Sequence, residues 1–125
     1  MVKIFLRSIQ SDIGKGKENC LAMRDSNGNV GINELETVVP GGSKVKWELE
    51  KQSGIKRISR IWAEATKSKV FKNEPKKILL KKRFQVELVV SDIELKEKYN
   101  IKYIIDDGTE VTIDPYIRIK PPPVD

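Results

Sequence analysis

Histidine is absent from all 125 residues. That absence removes Ser-His-Asp and Cys-His catalytic pairs, and it removes the zinc and copper sites that rest on imidazole. Cysteine is nearly absent: Cys20 is the only one, so no intrachain disulfide can form, and a lone thiol suits a reducing compartment. No apolar run approaches the roughly 18 residues of a membrane-spanning helix. The opening "MVKIFLRSIQSDIGKGK" does not read as a secretory leader, because Lys3, Arg7 and Ser8 interrupt a short apolar stretch. A cytoplasmic location is the default expectation. Long helical periodicities are also scarce.

What is present is a β pattern. β-branched aliphatics are frequent, and short alternating runs are separated by turn signals, which favours an all-β class. With 38% hydrophobic and 34% charged residues, one domain with a real core is expected over 1–120, followed by a Pro-rich, polyproline-like tail over 121–125. "MVKIFLRS" turns Val2, Ile4 and Leu6 to one face. A polar loop, "SDIGKGK", then leads to a strand at "NCLAMR", closed by the turn "DSNGN". "GINELETVV" supplies a third strand. "SKVKWELE" is the clearest of the first half, with Val45, Trp47 and Leu49 inward. We expect Trp47 to be a core anchor.

The stretch 53–65 reads two ways. Ile55, Ile58, Ile61, Trp62 and Ala65 fit one face of a helix or a bulged strand, and the neighbouring strands favour the second. "RFQVELVV" alternates Phe84, Val86, Leu88 and Val90. Ser91 and Glu94 have the spacing of a helix-capping pair, consistent with a short helical turn at "SDIELKEK". "KYNIKYII" and "TEVTIDPYIRIK" are the last two strands. Tyr99, Ile101, Tyr103 and Ile105 share a face, and Val111 and Ile113 must join it. A two-residue loop would put the faces out of register. A three-residue loop, Asp106-Asp107-Gly108, pairs Tyr103 with Val111 and Ile101 with Ile113, with Gly108 left-handed in a bulge. Seven or eight short strands with regular turn signals predict a single all-β domain, a sandwich or a barrel.

Candidate chemistry is sparse. Cys20 and Met23 have a soft-ligand spacing but no second thiolate, so they read as packing residues. "DSNGN" lacks the further carboxylates of a calcium loop, and "IGKGKEN" lacks the Ser or Thr of a phosphate loop. The clusters Asp92, Glu94, Glu97 and Asp106, Asp107, Glu110, Asp114 read as turn and surface acids. No metal, cofactor or catalytic residue is assigned. The formal net charge is +6. Lys67, Lys69, Lys72, Lys76, Lys77, Lys81, Lys82 and Arg83 crowd one basic stretch, opposed by Glu74 alone. Such groups suit phosphate contacts, and equally suit the guarding of sheet edges. Because lysines leave no continuous apolar face and Val70 and Phe71 are adjacent, residues 66–83 are expected to form a mobile surface connection tethered by Phe71.

"VVPGGSKVKWELE" resembles a strand of the cupredoxins, and "EKYNIKY" with "PYIRIK" resembles the last two strands of that family. The chain is also similar to small bacterial proteins carrying a cupredoxin-like domain, through "VKWEL", "SGIKRI", "KVFKNEP" and "DGTEVTIDPYIRI". The resemblance implies a single Greek-key β-sandwich of seven to eight strands, cupredoxin-like, with an immunoglobulin-like sandwich as the competitor that lacks its cysteine pair here. It does not imply copper, since Tyr103 takes the place of the ligand cysteine and "IIDDGTEV" replaces the histidine-bearing loop. The function expected is therefore a non-enzymatic binding module with a protein partner. A nucleic-acid or polyanion binder using Lys69, Lys72, Lys76, Lys77, Lys81, Lys82 and Arg83 comes second, and a small hydrolase third.

Overall fold

In a computed structural model, residues 1–13, 16–78 and 82–121 are described, with backbone alone for 11–13 and 16–18. Eleven strands are found among them, and no helix. They are β1 (Val2–Ile13), β2 (Gly16–Asp25), β3 (Val30–Ile32), β4 (Glu36–Pro40), β5 (Lys44–Leu49), β6 (Ile55–Ala63), β7 (Lys76–Lys77), β8 (Arg83–Glu87), β9 (Leu95–Ile105), β10 (Glu110–Ile113) and β11 (Tyr116–Lys120). The first sheet runs β3-β2-β1-β5-β8-β7. In the second, β9 holds β6 along one side and both β10 and β11 along the other, with β4 beyond β11. Both sheets are mixed, because β1 lies parallel to β5 and β4 parallel to β11.

The all-β sandwich is as expected; the strand count is not. Eleven strands replace seven to eight because the structure divides what the sequence joins. "GINELETVV" contains two strands, one in each sheet, and "TEVTIDPYIRIK" breaks at Asp114-Pro115, where proline has no N–H for the ladder. The supposed loop "SDIGKGK" is largely strand, since β1 runs on to Ile13 and β2 begins at Gly16. The helical turn at "SDIELKEK" does not form. The Ser91 hydroxyl instead accepts from the Ile93 N–H at 3.2 Å in a local turn.

One core lies between the sheets. Ile4, Leu6, Met23, Val45, Trp47 and Phe84 of the first face Ile58, Ile61, Tyr99, Ile101, Ile117 and Ile119 of the second. Trp47 is fully buried, as its place between Val45 and Leu49 predicts. Val90 departs from the alternation of its run: it is 76% exposed, because β8 ends at Glu87 and the chain has turned by that point.

The ambiguity at 53–65 has a physical answer. β6 buries Ile55, Ile58 and Ile61, every third residue, and its register against β9 shifts between Ile55 and Arg57 and again between Ile58 and Arg60. Each bulge adds a residue, so inward positions recur with a spacing close to that of a helix. The β9–β10 hairpin has the expected register, Tyr103 opposite Val111 and Ile101 opposite Ile113. Its loop closes with the Gly108 N–H donating to Ile105 C=O at 2.9 Å and Gly108 at φ +92°.

The connection after β6 is not the surface loop expected. Val70, Phe71 and Pro75 are all buried. The Ser68 hydroxyl donates to Glu97 at 2.6 Å and accepts from the N–H groups of Val70 and Phe71. The Lys69 N–H donates to the other Glu97 oxygen at 3.0 Å. This turn lets adjacent residues both reach the core, which an extended chain forbids. It also explains why Glu97 is buried rather than a surface acid. Leu79, Leu80 and Lys81, the tail from residue 122 and the Gly14-Lys15 tip lie outside the described residues.

Candidate functional site

The basic stretch is the first place to look, and the structure spreads it out. Lys72 pairs with Glu87 at 3.0 Å, and Arg83 lies 3.4 Å from Glu48. Lys69 is exposed beside the Ser68 turn. Lys76 and Lys77 form β7, at the edge of the first sheet, around a shallow cleft also lined by Glu74 and Glu87. Lys82 is exposed near the start of β6, across a cleft from Asp106. Lys81 is outside the described residues. Arg60 adds a cation nearby but grips Glu74 with two donors, which raises its already high pKa, and its guanidinium stacks 4.7 Å from the Trp62 ring. Carboxylates thus interleave the cations, and no continuous basic track is formed by the described side chains.

Several acids are held in turns or ion pairs: Glu94 pairs with Arg118, Glu110 with Lys102 and Asp114 with Lys98. Asp25 closes the "DSNGN" turn: its carboxylate accepts from the N–H groups of Asn27 and Asn29, both at 3.0 Å, and from the Thr37 hydroxyl at 3.0 Å. Asp107 accepts from the Thr109 N–H at 2.8 Å, and hydrogen bonding to the Thr109 side chain first, then to its N–H, holds the Asp107 pKa below the usual value. Among the described residues no three His, Cys, Asp or Glu side chains converge on a point that would hold a metal ion. Tyr103, at the position the resemblance assigns to a copper ligand, is buried in the core. Burial, with a smaller push from Cys20, raises its pKa to about 12.

The outer face of the first sheet divides into two parts. Over β1, β5 and β8 it is covered by ion pairs. Lys3 and Arg83 flank Glu48, and Arg24 and Arg7 share Glu50, at 2.6 and 3.8 Å, with Arg24 also stacked 4.2 Å from the Phe5 ring. Towards β3 the cover stops. Ala22 forms the floor of an apolar groove of about 540 Å³, with Ile9 on one wall and Val30 and Ile32 on the other. Val30 is 77% exposed and Ile32 56%. Arg7, Arg24 and Glu50 close one side.

β3 is also a sheet edge. The Asp25 N–H donates to Asn29 C=O, and the Asn33 N–H to Leu21 C=O. By antiparallel alternation the N–H and C=O groups of Val30 and Ile32 point away from β2, along the open side. Every other terminal strand carries charge or proline: Lys56, Arg57 and Arg60 on β6, Lys76 and Lys77 on β7, Glu36 and Pro40 on β4, Glu110 on β10. Such residues discourage pairing with another chain. Among the described strands, β3 alone has neither. The sequence signal was there, since "NVGIN" is uncharged and alternates β-branched residues, but exposure is not visible in a sequence.

The strand pairing defines an all-β, sandwich-like fold of two mixed sheets. No protein-family model matches the chain, and no curated protein does. Among solved structures, an inclusion body protein, PixA, from Burkholderia cenocepacia J2315 aligns over 94% of this chain and 90% of its own, at 12% identity and a TM-score of 0.44. A likeness of that degree leaves the sandwich resting on its own strand pairing. None of the helices needed for an α-helical membrane span is found in the described residues.

Proposed function

We propose that this chain is a non-enzymatic interaction module that takes an extended segment of a partner protein along β3. The carrying observation is that the one terminal strand without charge or proline among the described strands borders an apolar groove, on a face otherwise covered by ion pairs. The fitting partner is an uncharged strand with β-branched residues at alternate positions: its backbone extends the sheet, and one side-chain row fills the groove over Ala22.

Isotope-labelled protein titrated with a short synthetic peptide of that pattern tests the proposal. Amide shifts confined to Ala22 and Val30–Ile32, abolished by Val30→Lys with Ile32→Lys, are expected. Shifts absent at millimolar peptide would overturn it. A second reading, polyanion binding, draws on Lys76, Lys77 and Lys82, for which no ion pair is found among the described residues. Binding to generic DNA that weakens steeply with salt and shifts the amides of those residues would favour it.

A further inference from the structure

We propose that the first segment to occupy this edge is β3 of a second copy, giving a symmetric dimer in which the two six-stranded sheets join. This rests on the reading of β3 as the contact edge and names its occupant. Three observations carry it.

The segment is self-complementary. Asn29-Val30-Gly31-Ile32-Asn33 reads nearly the same in both directions. Laid antiparallel on itself about a twofold axis through Gly31, it sets Val30 opposite Ile32 of the second copy, and Ile32 opposite Val30. These are the residues whose N–H and C=O groups alternation turns outward, so each such pair exchanges reciprocal backbone hydrogen bonds. Both side chains lie on the outer face, so the apolar groove floored by Ala22 runs on into its twin across the axis.

The segment also keeps one register. Gly31 sits on the axis, and a Cβ there would stand 1.8 Å from the Glu34 carbonyl oxygen, so the turn after β3 passes directly against it. That contact and the Leu21 N–H donating to Asn33 Oδ1 at 2.8 Å pin β3 against β2. A slip by one residue would turn Val30 and Ile32 away from their counterparts.

Charge permits the match locally and opposes it globally. Neither strand brings a charge to the axis, and Arg7 and Arg24 are shared with Glu50. The formal charge of +6 on each copy is repulsive at long range. A strand pair this short buries less than the ~1,200 Å² of a stable complex, so the dimer is weak. Added salt tightens it, because screening removes repulsion without touching the contact.

Sedimentation equilibrium of the whole chain between ~10 µM and ~1 mM, at low and high salt, is the test. Expected are a reversible monomer–dimer equilibrium strengthened by salt and a Val30→Lys, Ile32→Lys variant that stays monomeric with an unchanged melting temperature. Wild-type protein monomeric at ~1 mM, or a variant that dimerises as the wild type does, would overturn the proposal. If the wild type is monomeric yet the peptide titration moves the β3 amides, self-pairing fails and the module reading stands. If neither occurs, both fail.

Discussion

The indole N–H of Trp47, on β5, donates to the hydroxyl of Tyr99, on β9 of the opposite sheet, at 3.1 Å in the middle of the core. The rings meet edge to face, with centroids 5.5 Å apart. A second phenol on the same strand, Tyr103, is equally buried, but its hydroxyl has no hydrogen-bond partner among the described residues. The two tyrosines should therefore answer the same substitution oppositely. Tyr99→Phe strands the Trp47 N–H and should cost about 1–3 kcal/mol, whereas Tyr103→Phe removes an unsatisfied group and should be neutral or stabilising by up to ~1 kcal/mol. Urea denaturation of the two variants checks this, and equal losses would show that Tyr103 has a partner.

Phe71 completes the aromatic cluster, with centroids 6.1 Å from Trp47 and 5.8 Å from Tyr99. Phe71→Ala should lose about 3–5 kcal/mol, as for other buried aromatics. A variant melting within a degree or two of the wild type would return the 66–77 connection to the surface.

Alkaline pH should unfold the protein through its phenols. Tyr103 is raised from an ordinary 10.0 to about 12 by burial, and Tyr99 is raised further by the same cause. A folded-state pKa above the unfolded one means that the stabilisation is complete below pH 10 and is lost as pH rises through the folded value. Tyr103 alone accounts for roughly 2–3 kcal/mol of that loss between pH 10 and 12. Denaturant midpoints measured across this range, with Tyr103→Phe as reference, give the slope; a flat profile in the wild type would contradict it.

Asp25 is the acid on which the β2–β3 turn depends. Replacing it by Ala strands two backbone N–H groups and the buried Thr37 hydroxyl, so a loss of about 2–4 kcal/mol is expected. If calcium titration altered the melting temperature of the wild type but not of Asp25→Ala, the turn would be a cation site rather than a structural one.

Much of the core was legible because alternation at β1, β5 and β9 has one solution: Ile4, Trp47 and Tyr103 face inward whatever the topology. The β9–β10 register was legible for the same reason, since only one loop length brings both apolar rows together. β6 was not, because its bulges give a strand the spacing of a helix. Nor was the burial of both Val70 and Phe71, which depends on Ser68 meeting Glu97, a partner 29 residues away. The basic stretch looked like a site because sequence shows cations but not the carboxylates folded beside them. The β3 edge was missed for the converse reason: openness is a property of the sheet, and "NVGIN" alone does not reveal which strands end one.

Hydrogen–deuterium exchange at the Val30 and Ile32 amides tests the central claim most directly, read against protein concentration and against added peptide. Both amides should exchange freely in dilute protein and become protected when either is raised, while those of Arg57 and Lys77 do not change. Protection already complete in dilute protein, or no protection under either condition, would show that β3 is not where this protein meets another chain.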